Sequence, residues 1–121
     1  MTGAQQSPAR LDAYPAWVAA LPDVDVDFPG ARGHLLSGPH GQLVLWAFDD
    51  GGRVPAHRHG PQLGVVLRGA VLLEVDGRCV RYGAGDSFSI ADDQVHAATI
   101  EPHTLVMEVF AEPDRHRERA R

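Results

Sequence analysis

Three histidines, His57, His59 and His96, are the residues of this 121-residue chain with the most capacity for chemistry. His57 and His59 are one residue apart, so on an extended strand both rings point to the same face. Two neutral imidazoles on one face offer nitrogen donors to a divalent cation at roughly 2.0–2.1 Å, provided a group from another strand closes the site. His96 is the natural third group, because it follows Val95 at the start of a separate apolar run and the turn Ala91-Asp92-Asp93-Gln94 leads that run back across the fold. The competing reading is a set of hydrogen-bonded interior histidines without metal.

The elements that must position these rings are short. Apolar runs fall at Leu43 to Phe48, Leu63 to Leu67, Val71 to Val75, Cys79 to Tyr82, Ser87 to Ala91, Val95 to Ile100 and Leu105 to Ala111, separated by Gly, Pro and Asp. Runs of that length and punctuation predict an all-β sandwich or barrel. Val75-Asp76-Gly77-Arg78 predicts a two-residue hairpin, because Asp-Gly tolerates the positive φ angles such a loop needs. One short helix is expected between Tyr14 and Leu21, started at Pro15 and ended before Pro22. Residues Met1 to about Arg10 are small and polar and are expected to be loosely attached.

The glycine spacing sharpens the metal reading. Five residues separate Gly51 from His57, six separate Gln62 from Gly69 and five separate Gly85 from Ala91, with His96 completing the second group. In the stretches GGRVPAHRHGPQLGVVLRG and GAGDSFSIADDQVH the chain resembles the cupin superfamily, whose motifs read G-x5-H-x-H-x3,4-E-x6-G and G-x5-P-x-G-x2-H-x3-N. The likeness to small single-domain bacterial cupins extends from about Leu21 to Arg115. It implies a small jelly-roll β-barrel over residues 21–115, with an extension at 1–20 and a charged tail at 116–121. It also implies one divalent metal ion (Fe, Mn, Ni, Zn, Co or Cu) on His57, His59 and His96, with Gln62 in the fourth-ligand position.

Gln62 departs from the motif's Glu, Ala91 and Asp93 from its Pro and Gly, and Ile100 from its Asn. An amide in place of a carboxylate leaves the charge of a divalent ion uncompensated, so the site should favour an anionic ligand. The alternative role for Gln62 is a hydrogen bond to substrate. Trp46, Phe48, Leu73, Phe88 and Met107 are candidates to line a pocket above the metal. Strand parity adds Gly64 and Val66 on the face of Gln62, and Ala98 and Ile100 on that of His96.

Composition excludes several classes. The net charge is -5 and every basic residue is an arginine. Arg32, Arg53, Arg58, Arg68, Arg78 and Arg81 are scattered among acids, unlike a nucleic-acid face. Arg115, Arg117, Arg119 and Arg121 form the one basic cluster, interrupted by Glu118, and read as a solvated tail. His34, His40, His103 and His116 read as exposed loop or tail histidines. Cys79 is the single cysteine, so an intrachain disulfide is impossible, and it reads as a structural or exposed thiol. No apolar run approaches membrane-spanning length, and a cytoplasmic, membrane-free protein is expected.

Two functions follow from the resemblance. One is a metal-dependent enzyme acting on a small organic molecule by oxygenation, isomerisation or cyclisation; the other is a non-catalytic module that captures a small ligand. A purely structural dimer is a third, weaker reading. Small cupins of this kind imply a homodimer, for which an open edge of the N-terminal strands could pair between chains.

Overall fold

In the computed structural model, which describes residues 14–120, each short run becomes a strand with one face turned inward. After a helix α1 (Ala16–Ala19) come nine strands among the described residues: β1 (Ala31–Gly38), β2 (Gly41–Phe48), β3 (Gly52–His57), β4 (Gln62–Arg68), β5 (Ala70–Val75), β6 (Arg78–Gly83), β7 (Ser87–Ile90), β8 (His96–Ile100) and β9 (Thr104–Phe110). They form a five-stranded sheet in the order β1-β2-β9-β4-β7 and a four-stranded sheet in the order β3-β8-β5-β6. All pairings are antiparallel. This is the all-β jelly roll that the runs and the resemblance predict. None of the described helices is long and apolar enough to cross a membrane.

The two sheets bury a shared core. Val44, Val66 and Val106 lie at its centre, ringed by Trp46, Phe48, Phe88 and Phe110. Alternation explains the choice: on β2, Val44, Trp46 and Phe48 point inward, and on β9, Thr104, Val106 and Phe110 do. Asp76 and Gly77 turn β5 into β6 with φ of 52° and 75°, the left-handed pair expected of an Asp-Gly hairpin.

Two strands escape the run pattern. β1 mixes Gly33, His34 and Ser37 into its length, and β3 exposes most of its residues, so neither carries a continuous apolar signal. The expected helix shrinks to Ala16–Ala19, with Pro15 at its N-cap, and Val18 is its buried residue. The expectation for Met1 to about Arg10 lies outside the described residues.

The chain beyond β9 is built into the fold, which corrects the expectation of a solvated tail starting at His116. Arg119 N–H donates to Asp23 O and Asp25 N–H to Arg117 O, adding a short strap beside residues 23–25. The buried Gln42 side chain then holds His116 at both ends: its Nε2 donates to His116 O and its Oε1 accepts from His116 N, at 2.9 and 2.8 Å. The strap carries Arg115 and His116 over the mouth of the barrel.

Gly64 faces the core between Gln62 and Val66, and the Phe88 ring lies on it so closely that a Cβ there would sit 2.2 Å from Phe88 Cζ. The Gly64→Ala variant is expected to displace that ring and cost about 1–3 kcal/mol. Thermal unfolding should register this as a lower midpoint, by about 4 °C per kcal/mol for a domain of this size; an unchanged midpoint would contradict the packing described.

Candidate metal centre

His57 ends β3 and His96 begins β8, and the two are directly paired across the sheet. Their ring centroids are 4.2 Å apart. His59 lies just past β3 rather than within it, because a bulge between Val54 and His57 shifts the register and the chain leaves the strand. It still returns to the same side, 5.2 Å from the His57 ring and 4.9 Å from that of His96. The main chain fixes this return: Asp93 N–H donates to His59 O at 2.8 Å, tying the turn before His96 to the His59 loop. Asp93 adopts φ 59° where the motif has glycine, a conformation that Asp tolerates better than most residues.

One potential ligand atom from each histidine lies within 4.8 Å of the others. The nitrogen that each ring offers is set by the opposite one. Nδ1 of His57 faces Pro55 O, that of His59 faces Gly60 O and that of His96 faces Gln94 O, each at 2.8 Å. A carbonyl oxygen only accepts, so each Nδ1 carries the proton and donates, leaving an Nε2 lone pair on every ring. This is the arrangement metal-ligating histidines use. Burial lowers the pKa values of His59 and His96 against the opposing pull of their hydrogen bonds to Gly60 O and Gln94 O, with Arg115 and the neighbouring His57 adding to the lowering. Both rings are therefore neutral, and ready to coordinate, at neutral pH.

Gln62 opens β4 and is buried beside the histidines. Its Nε2 donates to Glu108 Oε2 at 2.5 Å, while its Oε1 is buried with no hydrogen-bond partner among the described residues. A buried, unsatisfied carbonyl costs on the order of 1–3 kcal/mol unless something outside the protein meets it. A cation held by three neutral imidazoles would meet it, as would a substrate donor. The donor set fits a divalent metal on His57, His59 and His96, and the orphaned Gln62 oxygen belongs to a residue that lines the same cavity.

The cavity above the histidines is about 170 Å³. Of the side chains expected to line it, Trp46, Phe48, Leu73, Phe88 and Ala98 do, as does Ile100. Gly64 and Val66 do not: the Phe88 ring covers the first, and the second is sealed in the core. Met107 is a correction, because the inward parity of β9 belongs to Thr104, Val106, Glu108 and Phe110, and Met107 points to the other side of the sheet.

That parity exposes what the sequence reading missed. Glu108 stands on the inward face of an apolar strand, and its alternation with Val106 and Phe110 was the available signal. Its Oε1 accepts from Trp46 Nε1 at 2.7 Å and its Oε2 from Gln62. Burial raises its pKa to about 7, against the opposing pull of those two donors and Arg115. Arg115 and His116 also line the cavity. His116, expected to be exposed, meets the rings of Trp46 and Phe110 edge-on, and burial followed by the charge of Arg115 lowers its pKa to about 4. A run of alternating charges hid both residues in the sequence.

Residues 44–110 match the family model described as a cupin domain. No curated protein matches the chain. Among solved structures, KdgF from Halomonas sp. is 31% identical over 77% of this chain and 87% of that one, with a TM-score of 0.67. An RmlC-like cupin from Shewanella frigidimarina is 26% identical over 78% of this chain and 86% of that one, also at 0.67. Salicylate 1,2-dioxygenase from Pseudoaminobacter salicylatoxidans shares the fold at 14% identity and a TM-score of 0.65, over 73% of this chain and 26% of that one.

Two expectations follow from the site. Calorimetric titration with Zn²⁺ or Co²⁺ should give one ion per chain. His96→Ala should weaken binding by more than the roughly 10–100-fold that loss of an outer-shell partner costs, and retained affinity would exclude the three-histidine centre. The second concerns pH. His116 is neutral in the fold down to about pH 4, whereas an unfolded histidine takes up a proton near pH 6.5. The unfolded chain thus binds more protons in that window, and stability falls as the pH drops through it. His116→Gln removes this contribution, so its unfolding midpoint should gain on that of the wild type between pH 7 and pH 4. A constant difference would show that His116 is not desolvated.

Proposed function

The chain belongs to the cupin superfamily, and from that premise we propose that it is a metal-dependent enzyme acting on a small organic anion or carbonyl compound bound above His57, His59 and His96. The observation that carries this reading is a second orphaned atom. Arg115 Nε is buried with no hydrogen-bond partner among the described residues, in the same cavity as the three histidines and the unmet Gln62 carbonyl. A donor on a permanent cation and an acceptor on a neutral amide thus lie unpaired in one small chamber.

Charge selects the ligand. Three imidazoles and an amide are neutral ligands, so a bound divalent ion keeps its full charge, and Arg115 adds another positive charge nearby. An anionic group on the substrate relieves both. Its carboxylate or enolate oxygen accepts from the Arg115 guanidinium, whose central carbon lies over the Phe110 ring, 6.0 Å from the centroid. The metal would supply Lewis-acid polarisation of a substrate oxygen or, in the case of iron, a route to oxygenation.

Glu108 acts through Gln62. By accepting from Nε2 it turns the amide so that Oε1 faces the cavity, and Trp46 Nε1 holds the carboxylate in place from the other side. Register accounts for the contact: Glu108 is paired with Gly64 on β4, so Gln62 is its diagonal neighbour on the inner face. The apolar walls, among them Phe48, Leu73 and Phe88, keep water from the reacting groups and receive the less polar part of the substrate.

The test is anaerobic reconstitution with Fe²⁺, Mn²⁺, Ni²⁺ or Zn²⁺, followed by incubation with a panel of small carboxylic and oxo acids, with and without dioxygen. Mass spectrometry and chromatography read the products. Metal-dependent conversion of at least one acid is expected, lost in His96→Ala. In Arg115→Gln the same conversion should show a KM raised by about 10–100-fold, as for a lost charge-assisted pair worth about 1.5–3 kcal/mol, with metal affinity undiminished. Panel members bound but never converted, with every metal, would replace the enzyme by a ligand-capture module.

A further inference from the structure

Strand register gives the depth of each side chain in the barrel, and depth sorts the lining of the chamber by polarity. His96 opens β8 and is followed inward by Ala98 and Ile100, whose partners on β5 are Leu73 and Val71. His57 lies opposite His96, whereas Val54 lies opposite Ala98 and Gly52 opposite Ile100. On β4 and β9 the steps are Gln62 beside Phe110, then Gly64 beside Glu108, then Val66 beside Val106. Gln42, which pins the strap, shares the row of Phe110 and Gln62. The three imidazoles, the Gln62 amide and the strap with Arg115 thus stand at one end. Past Glu108, whose two oxygens are taken by Trp46 and Gln62, every lining side chain is aliphatic or aromatic.

Phe28, from the segment before β1, lies across the far end. Its ring packs edge-on against Phe48 at 5.6 Å and covers Gly52, where a Cβ would meet Phe28 Cζ at 2.8 Å. Phe48 pairs with Thr104 and Gly52 with Ile100, the positions of β9 and β8 farthest from Phe110 and His96. No Ser, Thr, Asp or Tyr side chain among the described residues lines the chamber between the two ends.

With the anion's head received at Arg115 and the metal, the reading on which this inference rests, we propose that the substrate is a monocarboxylic or 2-oxo acid carrying one compact hydrocarbon group. The carboxyl end lies at the histidines, the hydrocarbon end on Phe28, and Phe28 sets the length accepted. Size limits the group. The chamber is about 170 Å³, and an apolar cavity of roughly 150 Å³ takes up one benzene. A single six-membered ring, or a chain of about four to six carbons, therefore leaves room for little beyond the carboxyl group. Polarity excludes sugar acids and other polyols. Each hydroxyl carried past Glu108 would lose its water and find no partner, at a cost of roughly ten- to hundred-fold in affinity. Each methylene placed there gains about fourfold instead.

The test is calorimetric titration of the full chain, loaded with Zn²⁺ and freed of excess metal, with the straight-chain acids from acetate to decanoate, and with phenylacetate and gluconate. Affinity should rise about fourfold per carbon as far as hexanoate and fall away at octanoate and decanoate. Phenylacetate should match the best of the series, and gluconate should bind no better than acetate. Arg115→Gln should weaken every binding member by a similar factor, about 10–100-fold, and leave the rise per carbon intact. Phe28→Ala should move the optimum to acids longer by about two to four carbons, the room its ring vacates. Phe28→Leu is the milder variant should that one not fold, and the wild-type series stands without either. A flat series, gluconate bound more tightly than hexanoate, or a folded Phe28 variant with the wild-type optimum would overturn the proposal and leave the anion receptor standing. Binding of no acid at all, or a rising series indifferent to Arg115→Gln, would instead defeat the receptor, and the proposal with it.

Discussion

Each imidazole of the site is held by a hydrogen bond from its own Nδ1–H to a main-chain carbonyl no more than two residues away. That constraint decides which nitrogen carries the proton, and so which lone pair faces the cavity. Everything chemical in the barrel depends on it. With the tautomers reversed, the same three rings at the same separations would point N–H groups at one another and could hold no cation.

The sheets exist, from the standpoint of the site, to bring those carbonyl-anchored rings together. Pairing of β3 with β8 sets His57 opposite His96, and the tie from Asp93 to His59 O brings the third ring in after the strand has ended. The five-stranded sheet contributes a separate layer of control. Trp46, Glu108 and Gln62 lie on β2, β9 and β4, and a chain of two hydrogen bonds through the Glu108 carboxylate fixes the Gln62 amide. The strap beyond β9, pinned by Gln42 at His116, closes the mouth and brings a cation to it. The three histidines, the Trp46-Glu108-Gln62 chain and the strap that carries Arg115 thus come from three distinct parts of the fold.

Much of this was legible in the residues. His57, His59 and His96 stood out because spacing and residue type are local signals, and the Asp76-Gly77 hairpin because its backbone angles demand those residues. Strand β1 was not, since Gly33, His34 and Ser37 interrupt its apolar side. Met107 was named and Glu108 was not, because hydrophobicity alone does not say which parity of a strand faces in; the partner strand β2, whose inward set is Val44, Trp46 and Phe48, decides that. Arg115 and His116 depend on contacts with Phe110 and Gln42 that are set by tertiary packing, and nothing near them in sequence marks them as buried.

The most direct test of the account is anomalous diffraction from crystals of the zinc- or cobalt-loaded protein, recorded at the metal's absorption edge. A single peak is predicted at about 2.0–2.2 Å from Nε2 of His57, His59 and His96, with every Nδ1 still directed at its carbonyl. A peak elsewhere, or one bound through Nδ1, would contradict it.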